Sequence, residues 1–266
     1  MADVSRILRL ATGGLALALA SCTAQAPAAP RADSGNLPAG QSSAQTPKVL
    51  TLAISAPPAA FSIVGGSVPA GGWVQITELH SDGLITSEPG SRQPIGRLAE
   101  NVPSVGDGTL TILPDGKMRE VFRLRKGVTW QDGAPFTAHD LVFSFKLGGP
   151  GGIPTSFNEP MRRMESVEAQ DDSTVVMTYK APYYRAVGLG PHAFWPLPRH
   201  ILGEAYERYT QTGNVDDILA QRYWTTEYVH LGPFQATAFS PTSTSASRPT
   251  TATFWADPSW TRSTSW

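Results

Sequence analysis

The sequence predicts an α/β fold, and three observations carry the prediction. Within residues 122–145, FRLRKGVTWQDGAPFTAHDLVFSF, a strand pattern, a turn, a helix cap and an amphipathic helix follow one another without a gap. Residues 164–169 and 174–179 are strand-like runs around Gln170-Asp171-Asp172-Ser173, which gives a hairpin. Residues 48–55, KVLTLAIS, alternate and are rich enough in β-branched residues for a first strand, and a helix is predicted over 73–79.

Each element has a local cause. Arg6 and Arg9 precede an apolar run, 10–20, that is too short to span a bilayer and suits the apolar region of a secretory leader. Residues 22–47 are rich in Ala, Pro, Ser, Gln and Gly, so burial cannot offset their ordering entropy and they read as a tether. After the strand at 48–55, Pro57-Pro58 and Gly65-Gly66 mark a long loop. Pro114-Asp115-Gly116 is a turn between strands at 109–113 and 117–124. Phe122, Leu124 and Val128 stand among basic and small residues, as in a half-buried strand whose charged positions face water. Asp132-Gly133 supplies a turn, because glycine tolerates positive φ and aspartate can bond its own backbone. Thr137 and Asp140 have capping-box spacing, so a helix should start near Ala138, with the Thr137 hydroxyl taking a free amide of its first turn. Leu141, Val142 and Phe145 fall on one face of that helix.

Composition excludes several functions. With 41% hydrophobic and 16% charged residues and a formal net charge of -1, the chain carries no nucleic-acid footprint. Its 266 residues suffice for a sizeable core without disulfides, and the single cysteine, Cys22, cannot form one within the chain. No GxSxG, HExxH, P-loop or Cys-His nucleophile is present. The histidines, 80, 139, 192, 200 and 230, are scattered, and Asp171-Asp172 reads as a solvated turn rather than a carboxylate pair. The expectation is a non-enzyme without cofactor or metal. Tyr183, Tyr184, Phe194 and Trp195 fit a core or a binding wall.

The segment LRKGVTWQDGAPFTAHDLVFS resembles the signature of the extracellular solute-binding proteins of family 5, the dipeptide, oligopeptide and nickel receptors of ABC importers. The family pattern has His where Gln131 stands and an acid where His139 stands; glutamine can still hydrogen-bond in the turn, and His139 lies in an exposed first helical turn. Gly83-Leu84 with PIGRLAE at 94–100, Pro198-Arg199-His200-Ile201 and Gly232-Pro233-Phe234 resemble further family elements, so the likeness runs over 48–241. It implies the periplasmic binding protein-like II fold: a mixed sheet with flanking helices forming the first lobe, an inserted subdomain over about 83–189, and the second lobe missing. It also implies capture of an oligopeptide or related small solute for an ABC permease by a monomer, with aromatic residues such as Phe61 and Trp195 against the ligand. Nickel or a sugar is the alternative solute, and an envelope lipoprotein acting as a protein-interaction module is the alternative role. Leu19-Ala20-Ser21-Cys22 resembles a lipobox, which implies removal of residues 1–21, a diacylglycerol on Cys22, and a location in the periplasm or on the outer face of the cell membrane. An ordinary signal peptide with an incidental cysteine is the other reading.

Residues 242–266 break the pattern, being mostly Thr, Ser and Ala with three tryptophans and almost no helix or strand pattern. Reading each codon one nucleotide earlier turns Thr242-Ser243-Thr244-Ser245 into polar-apolar alternation, Trp255 into leucine, Ala256 into glycine and Thr261 into aspartate. The shifted reading is similar to the family's "Y..G.P.lD" element. The expectation is a frameshift near codon 241 and an impaired, truncated receptor; a genuine Ser/Thr-rich tail is the alternative.

Overall fold

The computed structural model describes residues 73–153, 159–190, 192–240 and 251–256, all within the compact unit Thr51–Trp266. The predicted first strand at 48–55, Phe61 and Cys22 lie outside the described residues.

The largest sheet is four-stranded and antiparallel, in the order β3-β4-β6-β5: β3 Leu110–Ile112, β4 Met118–Arg123, β5 Met164–Asp171 and β6 Thr174–Tyr179. The predicted turn joins β3 to β4. Gly116 takes φ 84°, a conformation that favours glycine, and its amide donates to Leu113 O at 2.9 Å. At the β5–β6 hairpin Asp171 Oδ1 accepts the Ser173 amide at 2.7 Å, and Asp171 and Asp172 are exposed, as a solvated turn requires. Strand alternation puts Met118 and Phe122 of β4 and Val175, Met177 and Tyr179 of β6 on one buried face. Glu120 breaks the rule that charged positions face water: it shares the parity of Met118 and Phe122 and is fully buried with them.

Helix α2, Ala138–Gly148, packs on β5 and β6. It starts where its cap predicts, with both halves of the capping box in place: the Thr137 side chain meets the Asp140 backbone amide and the Asp140 side chain meets the Thr137 amide. The Asp140 carboxylate accepts the Thr137 backbone N–H at 2.9 Å, while the Thr137 hydroxyl leans on the same carboxylate at 3.4 Å. The buried side of the helix is wider than predicted: Phe143 and Leu147 join Leu141 in the interior, whereas Val142 and Phe145 are partly buried. Burying each such side chain contributes roughly 1.5–3 kcal/mol.

Before this sheet come α1, Trp73–His80, and a hairpin of β1, Ile85–Ser87, with β2, Pro94–Gly96. Three-residue strands are too short for an alternation signal, so this hairpin leaves no trace in the sequence pattern. The Ile85 amide donates to Leu189 O at 3.2 Å, which puts the two ends of the stretch 83–189 side by side.

A second core gathers around Phe143 and Leu147 of α2. It adds Trp195, Leu197, Leu202 and Ala205 of α4 (Arg199–Thr212), Ile218 of α5 (Asp216–Leu219), Tyr223, Trp224 and Tyr228. The short helix α3, Glu159–Arg163, leads into β5. Every strand pair among the described residues is antiparallel, so the mixed sheet expected for the first lobe does not appear among them.

One expectation is corrected. Thr251–Ala256, within the stretch read as lacking a strand pattern, forms β8 and pairs antiparallel with β7, Phe234–Ser240, with a bulge between Ala236 and Ala238. TATFWA holds two threonines and two aromatic residues, types favoured in strands, and the open edge of β7 supplies their hydrogen bonds.

Candidate functional site

The signature segment folds back on itself before α2. Trp130 N donates to Ala134 O at 2.8 Å, Phe136 N donates to Val128 O at 3.0 Å, and Asp132 Oδ1 accepts the Ala134 amide at 3.1 Å. Gly133 sits in this turn at φ 89°. The tip of the turn thereby presents Gln131 and Asp132 to distant parts of the chain.

Gln131 is bound from both sides by the 230–234 segment. Its Nε2 donates to Gly232 O at 2.9 Å and Phe234 O at 3.0 Å, its Oε1 accepts the His230 amide at 3.1 Å, and its own amide donates to His230 O at 3.1 Å. Gly232 is required here by close approach, since a Cβ would stand 2.2 Å from the His80 carbonyl carbon, and its amide donates to His80 O at 2.9 Å. Asp132 Oδ2 meets His200 Nε2 at 2.7 Å. Burial raises the Asp132 carboxyl, but the hydrogen bonds from His200 and the Ala134 amide outweigh it and hold the group below its ordinary value. Asp140 Oδ1 accepts the Arg199 amide at 3.0 Å, and Ser144 Oγ donates to Asp140 O and accepts the Leu197 amide. Four segments that are far apart in sequence, the end of α1, the signature, the 197–200 corner and the 230–234 element, are thus tied at one junction.

Behind the junction lies an aromatic packing around His230. Tyr228 stacks on it at 5.6 Å and 12°, and Trp130 and Trp195 meet it edge-on at 5.7 and 5.8 Å. Burial drives His230 well below the usual imidazole range and His80 down to about 3, so both rings are neutral. His80 Nδ1 hydrogen-bonds Ser81 Oγ at 2.8 Å, and Ser81 Oγ hydrogen-bonds Tyr228 at 3.3 Å. Neutral rings enclosed by aromatic edges stiffen a core.

Below α1, Arg97 Nε donates to Asp82 Oδ1 at 2.9 Å, which joins Gly83-Leu84 to PIGRLAE. Burial outweighs the Arg97 charge and raises the Asp82 carboxyl to about 6. His139 is exposed and lies 3.4 Å from Asp172.

Of the residues expected at a ligand wall, Trp195 is 7% exposed and packed into the second core, which leaves little of its surface for a ligand. Phe61 and Cys22 lie outside the described residues. Sequence reasoning missed the reach of Gln131, the Asp82–Arg97 pair and the buried Glu120. A signal existed for two of them: the departure from the family's His at 131, and the inward parity of Glu120. Among the described residues no group of three or more His, Cys, Asp or Glu could hold a metal ion, and no helix is long and apolar enough to cross a membrane.

Comparison with known proteins adds the family. Residues 93–258 match the family described as bacterial extracellular solute-binding proteins, family 5, middle region, a span that starts later than the likeness expected over 48–241 and continues past Pro241. A candidate ABC transporter peptide-binding protein of Brucella ovis is 28% identical over 138 residues, 51% of this chain and 24% of that protein. A candidate deoxycholate-binding periplasmic protein of Escherichia coli is 24% identical over 120 residues, 38% of this chain and 22% of that protein. The chain thus spans about a quarter of the length of these relatives. In fold it is similar to the oligopeptide-binding protein of Thermus thermophilus, crystallised with a pentapeptide, at a TM-score of 0.57 and 20% identity, covering 71% of this chain and 35% of that one. The fold is the α/β fold of type II periplasmic binding proteins, of which this chain covers about a third. The signature, the junction it builds and the matched span lead to one assignment: this chain belongs to the bacterial extracellular solute-binding proteins of family 5.

Proposed function

We propose that this chain is a substrate-binding lipoprotein of an ABC importer that takes oligopeptides, or a related small solute, and that the 266-residue polypeptide is an impaired form of it. The observation that carries the reading is the family match over 93–258, on a fold in which the motif-bearing segments are stapled together at Gln131, Asp132 and Asp140. Such stapling is what a receptor lobe needs, since a ligand wall must keep its shape while the lobes close by a hinge. The proposed wall is Phe61, with Trp195 able to add only the small part of its ring that the second core leaves exposed.

A receptor gains affinity by burying most of its ligand between two lobes, and one lobe by itself would offer a half-site open to solvent. Calorimetry with di- to pentapeptides should show no micromolar binding by the 266-residue polypeptide and clear binding by a version whose frame is restored after codon 241. Tight binding by the short form would overturn the impairment, and failure of a well-folded long form across a peptide library would move the ligand class to nickel or a sugar. Sequencing the locus tests the frameshift itself, because a restored frame that opens no long downstream reading frame excludes it.

For the anchor, acyl chains contribute about 0.8 kcal/mol per buried methylene, so a multiply acylated Cys22 would hold the protein on a membrane. Cys22→Ala should move the protein from the membrane to the soluble fraction. Unchanged detergent partitioning of the variant would exclude the lipid anchor.

A further inference from the structure

Glu120 sits in the middle of β4, opposite Leu110 of β3 and Met177 of β6. Its neighbours along the strand, Arg119 and Val121, point to the other face, and both Arg119 and Arg123 are exposed there. The carboxyl therefore lies on the core face between Met118 and Phe122, 0% exposed, with neither oxygen in hydrogen-bond geometry. Tyr179, opposite Met118 and so diagonal to Glu120 across the strand pair, is the titratable group that faces it, and its buried hydroxyl is likewise outside hydrogen-bond geometry.

Among the described residues the other elements around this core offer no compensating charge. The buried positions of β5 are Met164 and Val167. On α2 the buried titratable group is Asp140, whose carboxylate is committed to the amides of Thr137 and Arg199. Beyond Tyr179 stacks Tyr183, whose hydroxyl donates to Glu159 of α3, and Glu159 is in turn paired with Arg163. On β3 the neighbour of Glu120 is Leu110, and Lys117, just before β4, is paired with Glu165. An ionised carboxylate at this place would be desolvated with, among the described residues, the Tyr179 hydroxyl alone to face it and no cation or donor amide, a costly arrangement in a core.

We propose that Glu120 is a protonated carboxylic acid in the folded protein, and that loss of its proton is a built-in trigger that loosens the β3–β4–β6–β5 sheet. Burial raises the group from 4.5 to about 7, with the facing Tyr179 hydroxyl offsetting only part of the rise, which agrees with the geometry. Between those values the unfolded chain has released the proton and the folded chain keeps it. The contribution is therefore full below about pH 4.5, declines as pH rises to about 7, and stays lost above that. The contribution of Glu120 to the sheet is thus greatest in a mildly acidic medium and gone above neutrality.

Urea denaturation of the full 266-residue chain from about pH 4.5 to 8.5, beside Glu120→Gln, tests this. Asp82, His80 and His230 contribute their own slopes to both proteins, so the difference between the two profiles isolates Glu120. The folding equilibrium constant of the wild-type protein should fall relative to that of E120Q by on the order of 10²-fold between about pH 4.5 and 7.5. Parallel profiles would overturn the proposal. Should E120Q not fold, hydrogen-exchange protection of the β4 and β6 amides in the wild-type chain gives the second readout: protection factors that drop between about pH 5 and 8 support the trigger, and constant ones overturn it.

Discussion

Gln131 is half-buried and spends its side-chain amide on three hydrogen bonds to the 230–234 segment, whereas Glu120, fully buried on β4, makes none. Both are polar residues inside one folded unit, yet they do opposite things. Gln131 replaces water at backbone groups that would otherwise be buried unpaired, so it fixes the position of one segment on another. Glu120 holds no other segment in place. Its carboxyl adds an energetic cost that depends on its proton, and hence on pH. In this pair, Gln131 lends rigidity by bridging distant segments and Glu120 lends pH sensitivity without bridging any.

The largest expected effect is on the bridging side. Gln131→Leu keeps the volume but strands the Gly232 and Phe234 carbonyls and the His230 amide, at roughly 1–3 kcal/mol for each unpaired group. A total loss of about 3–5 kcal/mol is expected in urea denaturation. Gln131→His, which restores the family's residue, should recover only part of it, because an imidazole cannot donate twice and accept once from one edge. A loss under about 1 kcal/mol for Gln131→Leu would show that the junction is held by its aromatic packing instead.

Asp82 stands between the two cases, with one oxygen on Arg97 and the other, Oδ2, buried without a hydrogen bond. Its folded value is raised from 3.8 to about 6, so the folded protein holds the proton over a range where the unfolded chain has lost it. The associated stability is complete below about pH 4 and is lost as pH rises to about 6, an amount of about 2–3 kcal/mol. Asp82→Asn should remove this decline and leave the one at higher pH that belongs to Glu120. Stability profiles of the two proteins that run parallel from about pH 4 to 6 would show that Arg97 keeps Asp82 ionised throughout.

How much of this was legible depended on whether a residue's role is local. The turn at 114–116, the start of α2 at Ala138 and the hairpin of β5 and β6 follow from neighbours within a few residues, and the sequence states them. The family likeness was legible for the same reason, being carried by one contiguous segment. Gln131 was visible only as a departure in a motif, since its partners lie about a hundred residues away. Glu120 had a local signal, its inward parity in Met118-Arg119-Glu120-Val121-Phe122, but polarity argued against burial and only the packed sheet decides between them. Trp195 shows the reverse, an aromatic residue that the sequence places in a core more readily than in a wall and that the described residues bury. For β8 the strand-forming residues were present, yet the partner strand that makes them pair lies outside the stretch in which they were read.

The smallest effect tests the division of labour at the α2 cap. A threonine followed three residues later by an acid suggests that the hydroxyl is the cap, and removal of such a cap typically costs about 0.5–2 kcal/mol. Here the Thr137 amide is satisfied by Asp140 Oδ2, and Asp140 Oδ1 also holds the Arg199 amide at the start of α4. The carboxylate is therefore shared between two helix starts, near the positive end of the α2 dipole. Asp140→Ala leaves two amides unpaired and removes that charge, and should cost about 2–3 kcal/mol. Thr137→Ala removes a hydroxyl whose contact is long at 3.4 Å, and should cost no more than about 0.5 kcal/mol, with Thr137→Ser close to neutral. The double variant should lose less than the sum of the two single losses, because the hydroxyl and the carboxylate belong to one capping box. If Thr137→Ala matches Asp140→Ala, the hydroxyl caps the helix directly; if alanine and serine at 137 lose equally, the methyl group of threonine is what matters, through packing.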